Sequence, residues 1–414
     1  MELWQSLFLE KYDFFMVPLQ FLIIFCTFYY LILSLFGFWR KKEGPPASPS
    51  KSFALVVAAH NEEAVIGPLV ENLKELEYPR ELYEIFIVAD NCSDRTAAIA
   101  REAGAQVHER FNEEQRGKGY ALEWMFEKIF RMERQFDAVV IFDADNLVKP
   151  NFLLEMNTKL EQGHQIVQCY LDSKNPFDTW VTATFSIAFW HINRLIQLAR
   201  YNLGLSNILG GTGMCISTET LRQYGWGATS LTEDLEFSMK ALLNGVKTTW
   251  AHEAIIYDEK PLKFKQSWNQ RKRWAQGHVD CFFRYFPQLL WKGLRTGNFS
   301  MLDGAIHLFQ PALVMIVTFF LMMNFFLHGS YTQVFGLMND LSLWQLLSYV
   351  QLALPFAALL LDKVDRRAFK WVLLYPFFIY TWVPIVFLGF LHRNKRDWSH
   401  TVHTRGLSYN EVIK

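Results

Sequence analysis

Hydrophobic positions divide the chain into apolar ends and a mixed middle. Residues 14–39 are almost uninterruptedly apolar and aromatic, and at about 1.5 Å per residue a helix of this length could cross a hydrocarbon core of roughly 30 Å. Residues 305–327, 343–361 and 371–391 meet the same length criterion. The pattern therefore predicts one transmembrane helix near the N-terminus and about three near the C-terminus.

The middle of the chain alternates short apolar runs with helical patterns. The apolar runs predict strands at residues 53–59, 84–89, 105–108 and 138–142. The helical patterns predict helices at residues 65–76 and 120–132, and another that Ser93 or Asp94 can cap and that runs to Gly104. Strands and helices alternating at this spacing are typical of βαβ units, so we expect an α/β domain with a mostly parallel sheet.

The run of residues 138–142 ends in Asp143-Ala144-Asp145. Successive strand residues point to opposite faces, so Asp143 and Asp145 share a face and could hold one divalent cation between them. Two bare carboxylates after a hydrophobic strand are costly without a positive partner, and Mg²⁺ or Mn²⁺ on a diphosphate would supply one. In isolation the same pair also fits a solvated loop before Pro150.

Five further stretches carry candidate chemistry, and each has a structural alternative. Lys118 lies between two glycines at a predicted helix start, where it could meet a phosphate or simply lie in a surface loop. Residues 181–198 form an amphipathic pattern that fits either the membrane surface or the face of a sheet. The turn of residues 210–215 contains three glycines that favour close backbone approach, with or without a ligand.

The last two stretches lie on predicted helices. Thr232 precedes Glu233 and Asp234, where a capping box would place acids at the positive end of a helix. Gln270, Arg273 and Trp274 share one helical face, which offers an amide, a guanidinium for phosphate oxygens and an indole for a sugar ring. A solvated helix with a packed tryptophan is the alternative there.

Charge and cysteine content narrow the function class. The 41 basic and 41 acidic residues give a formal net charge of zero, which gives no support for a nucleic-acid partner. The five cysteines are scattered without a C-x-x-C pair, so we expect free thiols in a reducing compartment and neither a disulfide framework nor a zinc site.

Flanking charges predict the membrane orientation. Arg40-Lys41-Lys42 after the first apolar run predicts that the α/β domain is cytoplasmic. The connection 329–342 has no Lys or Arg and the connection 362–370 has four, so the first is expected outside and the second inside. Three C-terminal spans would place the tail outside, whereas the basic residues 392–396 favour the inside. A re-entrant hairpin broken at Pro376 and Pro384 would remove the conflict.

Together these residues resemble family 2 glycosyltransferases, and specifically the membrane-embedded, processive branch that makes cellulose, hyaluronan, chitooligosaccharide and poly-N-acetylglucosamine. Four signals occur in the family's order: Asp90 after a strand, Asp143-Ala144-Asp145, Thr232-Glu233-Asp234, and Gln270-x-x-Arg273-Trp274. The resemblance covers residues 53–274 by motif. It implies a GT-A fold, Rossmann-like with a mostly parallel sheet, in a cytosolic domain (residues 46–295) between a membrane anchor (1–45) and a C-terminal membrane region (296–414), with amphipathic interface helices.

The resemblance also implies a role for each matched residue. Asp90 and the loop of Asn61, Glu62 and Glu63 would hold the uridine of a UDP-sugar, with Lys118 near the nucleotide and Arg273 facing the diphosphate. Asp143 and Asp145 would bind Mg²⁺ or Mn²⁺, and Asp234 would be the general base. The implied acceptor side consists of Gly211, Thr212, Gly213, Cys215, Glu233, Gln270 and Trp274.

The implied activity is inverting, metal-dependent extension of a β-linked polysaccharide from a UDP-sugar at the cytoplasmic face of the plasma membrane. Two alternatives remain open: transfer of a single sugar to a lipid, which gives a glycolipid, and a catalytically inactive membrane scaffold or sugar transporter. The Phe-x-Val-Thr gating motif of cellulose synthases is absent, and we expect no control through an attached regulatory domain. Four spans are few for a polymer channel, so membrane lipid and either a homo-oligomer or an export partner are the expected further partners.

Overall fold

The computed structural model describes residues 2–227, 229–326, 341–395, 401 and 403–412. At residues 2–16, 324–326 and 341–344 it describes the backbone alone. An eight-stranded mixed sheet forms the centre of the α/β domain, with strands β1 (Phe53–Ala59), β2 (Tyr83–Asp90), β3 (Gln106–Arg110), β4 (Ala138–Asp143), β5 (Leu147–Val148), β6 (Ile166–Ser173), β7 (Met214–Ser217) and β8 (Thr248–Asp258). The strand order is β3-β2-β1-β4-β7-β6-β8-β5. The four predicted strands are confirmed, with ends that move by at most two residues.

The sheet is parallel where the predicted βαβ units lie. Strands β3, β2, β1 and β4 are mutually parallel, whereas β7 runs antiparallel to both β4 and β6. Strand β8 pairs parallel with β6 and antiparallel with the short β5. The parallel half thus gathers the ends of β1, β2 and β4 on one edge, where ligands of α/β sheets are usually found.

Helices cover both faces of the sheet and continue into the apolar ends of the chain. They are α1 (Glu2–Leu35), α2 (Ile66–Lys74), α3 (Thr96–Glu102), α4 (Lys118–Arg131), α5 (Phe152–Glu161), α6 (Trp180–Ile192), α7 (Leu198–Leu203), α8 (Thr218–Tyr224), α9 (Glu233–Leu243), α10 (Phe264–Thr296), α11 (Phe299–Phe326), α12 (Leu341–Leu361), α13 (Tyr375–Tyr380), α14 (Trp382–Leu391) and α15 (Tyr409–Val412). Short 3₁₀ helices lie at Arg80–Leu82 and Arg366–Leu373, and a π turn lies at Asn193–Gln197. Separate apolar cores fill the two sides of the sheet.

The amphipathic pattern of residues 181–198 forms α6, the π turn and the start of α7. Trp190 Nε1 donates to Asp172 at 2.7 Å, and Asn193 Nδ2 donates to the carbonyl of Leu171 at 2.8 Å, so one side of this segment is fastened to β6. The opposite side meets α12 and the 3₁₀ helix Arg366–Leu373. The structure therefore shows this segment packed both on the sheet and against α12.

The apolar ends contain helices of spanning length. Residues 17–35 of α1 and 299–323 of α11 are long and apolar enough to cross a membrane, while 345–361 of α12 form a shorter apolar helix. The predicted last span is instead the 3₁₀ helix Arg366–Leu373 followed by residues 375–391, bent by 58°. The connection 329–342 lies outside the described residues except for 341 and 342.

Arg271 of α10 fills the break between α13 and α14. Its guanidinium is fully buried, donates to Thr381 Oγ1 at 2.6 Å and lies 4.2 Å from the ring centroid of Phe378. Nearby, a Cβ added to Gly389 of α14 would lie 3.0 Å from the Cβ of Ala275, so the two helices are in close contact. The break is therefore packed directly onto the helix that carries Gln270, Arg273 and Trp274.

Both ends of this bent segment are bound to the α/β domain. Asp362 accepts from Arg194 Nη1 and from the Tyr170 hydroxyl, each at 2.9 Å. After the segment, His403 Nδ1 lies 3.0 Å from a carboxylate oxygen of Glu62. A segment that begins and ends on the same domain favours the re-entrant hairpin over a full span.

We expect cysteine labelling to place both ends of the segment on one side of the membrane. In Lys363→Cys and Arg393→Cys variants, an impermeant maleimide should react only after the cells are permeabilised, because both sites adjoin the α/β domain. Ser330→Cys, in the connection predicted to be external, is the matched control and should react in intact cells. Labelling of Arg393→Cys in intact cells would instead show a complete span.

Candidate active site

The carboxyl edge of the parallel strands brings the predicted site residues together. Ala58 pairs with Asp143 across β1 and β4, and Ala59 pairs with Ala89 across β1 and β2, so Asp90 and Asp143 leave the sheet at the same edge. The chain turns sharply after β1 and after β2, since Asn61 and Asn91 have φ values of 55° and 51°. Asparagine tolerates this left-handed conformation better than most residues with a Cβ.

The Asp143-Ala144-Asp145 loop is held by Thr212 and Asn146. The amide of Asp143 donates to Thr212 Oγ1 and to Asn146 Oδ1, both at 3.0 Å, and the Thr212 hydroxyl also donates to Asn146 Oδ1. Thr212 thus fixes the direction in which the Asp143 side chain leaves β4. Packing requires glycine at position 213, because an added Cβ would lie 2.1 Å from the Cys169 sulfur.

Lys118 supplies positive charge to the same edge. It is the first residue of α4, and its Nζ donates to Asp143 Oδ1 at 2.5 Å and to the Gly211 carbonyl at 2.6 Å. Burial alone would lower the pKa of Lys118, but the carboxylates of Asp143 and Glu233 raise it above its usual range. The lysine is therefore held charged beside the aspartate pair.

Glu233 and Asp234 occupy the first turn of α9, as predicted, but the capping box is wrong. The Thr232 side chain makes no capping hydrogen bond; its hydroxyl turns towards α10, where a Cβ on Gly277 would lie 2.4 Å from it. Asp234 Oδ1 instead accepts from the Leu235 amide at 2.8 Å. Its other oxygen lies 3.3 Å from the Cβ position of Gly211, so any side chain at that glycine would crowd the carboxylate.

Burial, and next the charge of Glu233, raise the pKa of Asp234 to about 7. Burial also raises the pKa of Glu233, although the charges of Lys118 and Arg273 lower it in part. A buried carboxyl with a pKa near neutrality can accept a proton at physiological pH and is a candidate general base.

The helical face predicted on α10 reaches the same place. Burial lowers the pKa of Arg273, whereas the nearby charges of Glu233, Asp143 and Asp234 act in the opposite direction. The Trp274 ring packs edge-on against Phe185 and Phe189, with centroids 5.8 and 6.4 Å away. The buried Oε1 of Gln270 has no hydrogen-bond partner among the described residues.

The predicted uridine residues lie around the loops after β1 and β2. Asp90 is buried and accepts from Arg110 Nη1 at 2.6 Å, and Asn61 Oδ1 accepts from the Ser93 amide at 2.8 Å. The carboxylate of Glu63 accepts from the Arg95 amide at 3.1 Å. These bonds fasten the two loops to each other beside Asp90.

The structure places Cys215 inside the sheet and brings the C-terminal tail to the site. Cys215, expected on the acceptor side, is fully buried on β7 between Val140 and Val167. The tail was not expected at the site, yet His403 reaches Glu62 and Thr404 reaches Glu259. Arg110 and Asn146 were also missed, since neither belongs to a motif and each is recognisable only by its contact with Asp90 or Asp143.

The residues at this edge fit a divalent ion only if a ligand shares it. No group of three or more His, Cys, Asp or Glu side chains among the described residues could hold a metal by itself. Asp143 and Asp145 are hard oxygen donors, and Mg²⁺ or Mn²⁺ sites commonly complete their coordination with phosphate oxygens and water. The pair therefore suits an ion that arrives with a diphosphate.

This fold and site define a GT-A-type sugar-transferring enzyme, and comparison with known proteins agrees. Residues 49–277, more than half of the chain, match the family model described as Glycosyltransferase like family 2, and the chain belongs to this family. The fold also matches the mannosyltransferase PcManGT from Pyrobaculum calidifontis in complex with GDP-Man and Mn²⁺. That match has a TM-score of 0.57 and 18% identity and covers 91% of this chain and 99% of the other.

Curated relatives include enzymes with different acceptors. A beta-monoglucosyldiacylglycerol synthase from Trichormus variabilis is 29% identical over 57% of this chain and 51% of its own length. A poly-beta-1,6-N-acetyl-D-glucosamine synthase from Staphylococcus aureus is 24% identical over 65% of this chain and 66% of its own length. The chain spans about half the length of the first of these relatives.

The raised pKa of Asp234 predicts a pH dependence. If Asp234 must be ionised to act as a base, the transfer rate should fall about tenfold per pH unit below 7 and level off above it. Rates measured at saturating donor from pH 5 to 9 would show this limb. A rate that stays constant down to pH 5 would contradict the assignment of Asp234.

The buried ion pair beside the loops predicts a stability effect. Arg110→Met should lower the free energy of unfolding by about 3–5 kcal/mol, because it leaves Asp90 charged, buried and unpaired. The matched control is Arg131→Met, whose exposed pair with Glu127 should change stability by less than about 1 kcal/mol. Thermal unfolding of the detergent-solubilised chain compares the two, and equal midpoints would contradict the expectation.

Proposed function

We propose that the chain transfers a sugar from a UDP-sugar to the end of a growing β-linked polysaccharide at the cytoplasmic membrane face, with inversion at the anomeric carbon. The observation that carries this proposal is the arrangement of Asp234, Lys118 and Asp143 around Gly211 at one edge of the sheet. A base, a fixed cation and a metal-type carboxylate within one partly buried cluster are the groups that an in-line displacement of a nucleoside diphosphate requires.

The donor would lie along the edge from Asp90 to Asp143. Asp90, Asn61 and Glu62 would face the uridine, and Lys118 and Arg273 would balance the charge of the diphosphate. Asp143 and Asp145 would hold a divalent ion, which when bound lowers the charge on the departing UDP. Lys118 would then exchange part of its contact with Asp143 for a phosphate oxygen.

The acceptor would approach from α10 and α6. Asp234 would take the proton from the acceptor hydroxyl while that oxygen attacks C1 of the donor sugar. The bond between C1 and the diphosphate breaks, and UDP leaves with the electron pair. The Trp274 indole and the unpaired amide oxygen of Gln270 supply an apolar plate and a hydrogen-bond acceptor, which suits a sugar.

A lipid acceptor is the second candidate, in which a single sugar would give a glycolipid. It is favoured by the likeness to the glucosyldiacylglycerol synthase and by the apolar rings beside Trp274. The Phe185 ring also packs against Phe378, with ring centroids 5.4 Å apart. Phe378 lies next to the exposed Phe377 on the bent apolar segment. An acyl chain of the acceptor would pack on the exposed Phe377, beside the ring cluster that holds Trp274.

Membranes that contain the chain should incorporate labelled sugar from UDP-glucose or UDP-N-acetylglucosamine, and EDTA should abolish incorporation. Asp234→Asn should reduce the rate at least 100-fold, because it removes the base and keeps the shape of the side chain. Asp137→Asn, at the opposite end of β4, is the control and should retain the wild-type rate. Retention of full activity by Asp234→Asn would refute the mechanism.

Product size separates the two candidates. Mass analysis should give a ladder that lengthens with time if the acceptor is a polysaccharide. A single glycolipid of fixed mass would establish the second candidate instead. Absence of product from every UDP-sugar would contradict both.

A further inference from the structure

The C-terminal tail crosses the metal-aspartate end of the site and is held there by Glu259. The carboxylate of Glu259 accepts hydrogen bonds from the Thr404 amide at 3.1 Å and from the Arg405 amide at 2.9 Å. The Thr404 hydroxyl makes a weaker contact with it at 3.4 Å. Glu259 is 9% exposed. Main-chain amides of the tail therefore satisfy a carboxylate that is almost removed from water.

The same residue also holds Asp145. The amide of Glu259 donates to Asp145 Oδ2 at 2.7 Å. Glu259 directly follows β8, and β8 pairs with β5, which begins two residues after Asp145. One residue thus fixes an aspartate of the metal pair with its main chain and the tail with its side chain.

Further contacts hold the tail from both sides of Asp145. His403 contacts Glu62 of the loop after β1 at 3.0 Å. Arg405 Nη2 lies 2.7 Å from Asp178, and Lys174 Nζ donates to the Arg405 carbonyl at 3.3 Å; both of these partners follow β6. Residues 403–405, here called the strap, therefore bridge the loop after β1 and the segment after β6.

The charge of Glu259 explains why this contact matters for a donor. A carboxylate so close to Asp145 would repel a diphosphate if it were unpaired, and hydrogen bonds from amides spread and offset its charge. Removing the strap would take these donors away from Glu259. The strap also brings the imidazole of His403 to the same end of the candidate site.

From this geometry we infer that Glu259 is a positioning residue that clamps the strap across the diphosphate end of the donor pocket and makes the strap one wall of that pocket. The inference rests on the proposed function, because it concerns donor binding at the same site. Glu259 itself takes no part in the chemical step. Its loss should weaken donor binding and leave the acceptor side unchanged.

The clamp is tested first by proteolysis of the full-length chain in detergent, without any nucleotide. In Glu259→Gln, one carboxylate oxygen becomes an NH₂ group that faces amide donors and cannot accept from them. Trypsin should therefore cut after Arg405 several-fold faster in Glu259→Gln than in the wild type. Equal cutting would overturn the clamp, whether or not UDP-sugar is the donor.

The role in donor binding is tested by kinetics. Glu259→Gln should raise the KM for the UDP-sugar about tenfold, since hydrogen bonds to a charged group contribute roughly 1.5 kcal/mol or more, while kcat and the acceptor KM stay near the wild-type values. The strap would not be a wall of the donor pocket if the donor KM were unchanged, or if kcat and the acceptor KM were impaired as strongly as the donor KM.

A charge exchange provides a variant that keeps Glu259 intact. Arg405→Asp should raise the donor KM by repelling Asp178, and adding Asp178→Arg should restore it by re-forming the pair. Arg131→Asp, on the exposed surface of α4, is the matched control and should leave the KM unchanged. If the double variant is no better than the single one, the strap does not act through this contact. Failure of the wild type to use any UDP-sugar would count against the proposed function, and the trypsin result would still decide the clamp.

Discussion

The burial of negative charge at the carboxyl edge of the sheet is the constraint on which this structure depends. Asp145 is buried there, Asp143, Glu233 and Asp234 are partly buried, and burial is the first cause that raises the pKa of Asp145, Glu233 and Asp234. Such a cluster is stable only when cations and amide donors surround it. These come from separate elements: Lys118 from α4, Arg273 from α10, His403 from the tail and the Glu259 amide after β8. The site is therefore also the point at which distant parts of the chain are joined.

A second set of buried charges joins the α/β domain to the apolar helices. Arg200 and Asp303 form an ion pair at 2.8 Å with almost no exposure, and the Tyr29 hydroxyl of α1 donates to the same aspartate at 2.6 Å. Arg194 pairs with Asp362 at 2.9 Å. Buried pairs of this kind add little net stability but strongly penalise any arrangement that separates them. They therefore fix where the apolar helices meet the sheet, and the Arg271 contact does the same for the bent segment.

Local patterns in the sequence predicted the parallel half of the sheet and most of the residues that the structure brings together at the candidate site, because the strands, their terminal carboxylates and the face of α10 follow from residues close in the chain. Sequence reasoning failed where a distant partner decides the outcome. Thr232 has the composition of a helix cap, yet its hydroxyl turns to Gly277. The antiparallel strand β7 and the contact of Thr404 with Glu259 join residues far apart in sequence, and no periodicity encodes such pairings. The last apolar run has the length of a span and prolines that also allow a re-entrant hairpin, and the distant contacts of its two ends favour the hairpin.

The packing of α10 limits the routes by which an acceptor can reach Asp234. On one side, Ala275 touches Gly389 so closely that no chain could pass between α10 and α14 at that level. Gly277 is in equally close contact with Thr232, which closes the side towards α9. Another side of α10 carries Trp274, whose ring packs against Phe185 and Phe189 of α6. Aromatic faces bind the C–H surface of a sugar and an acyl chain with similar ease, so both candidate acceptors would enter by the same route.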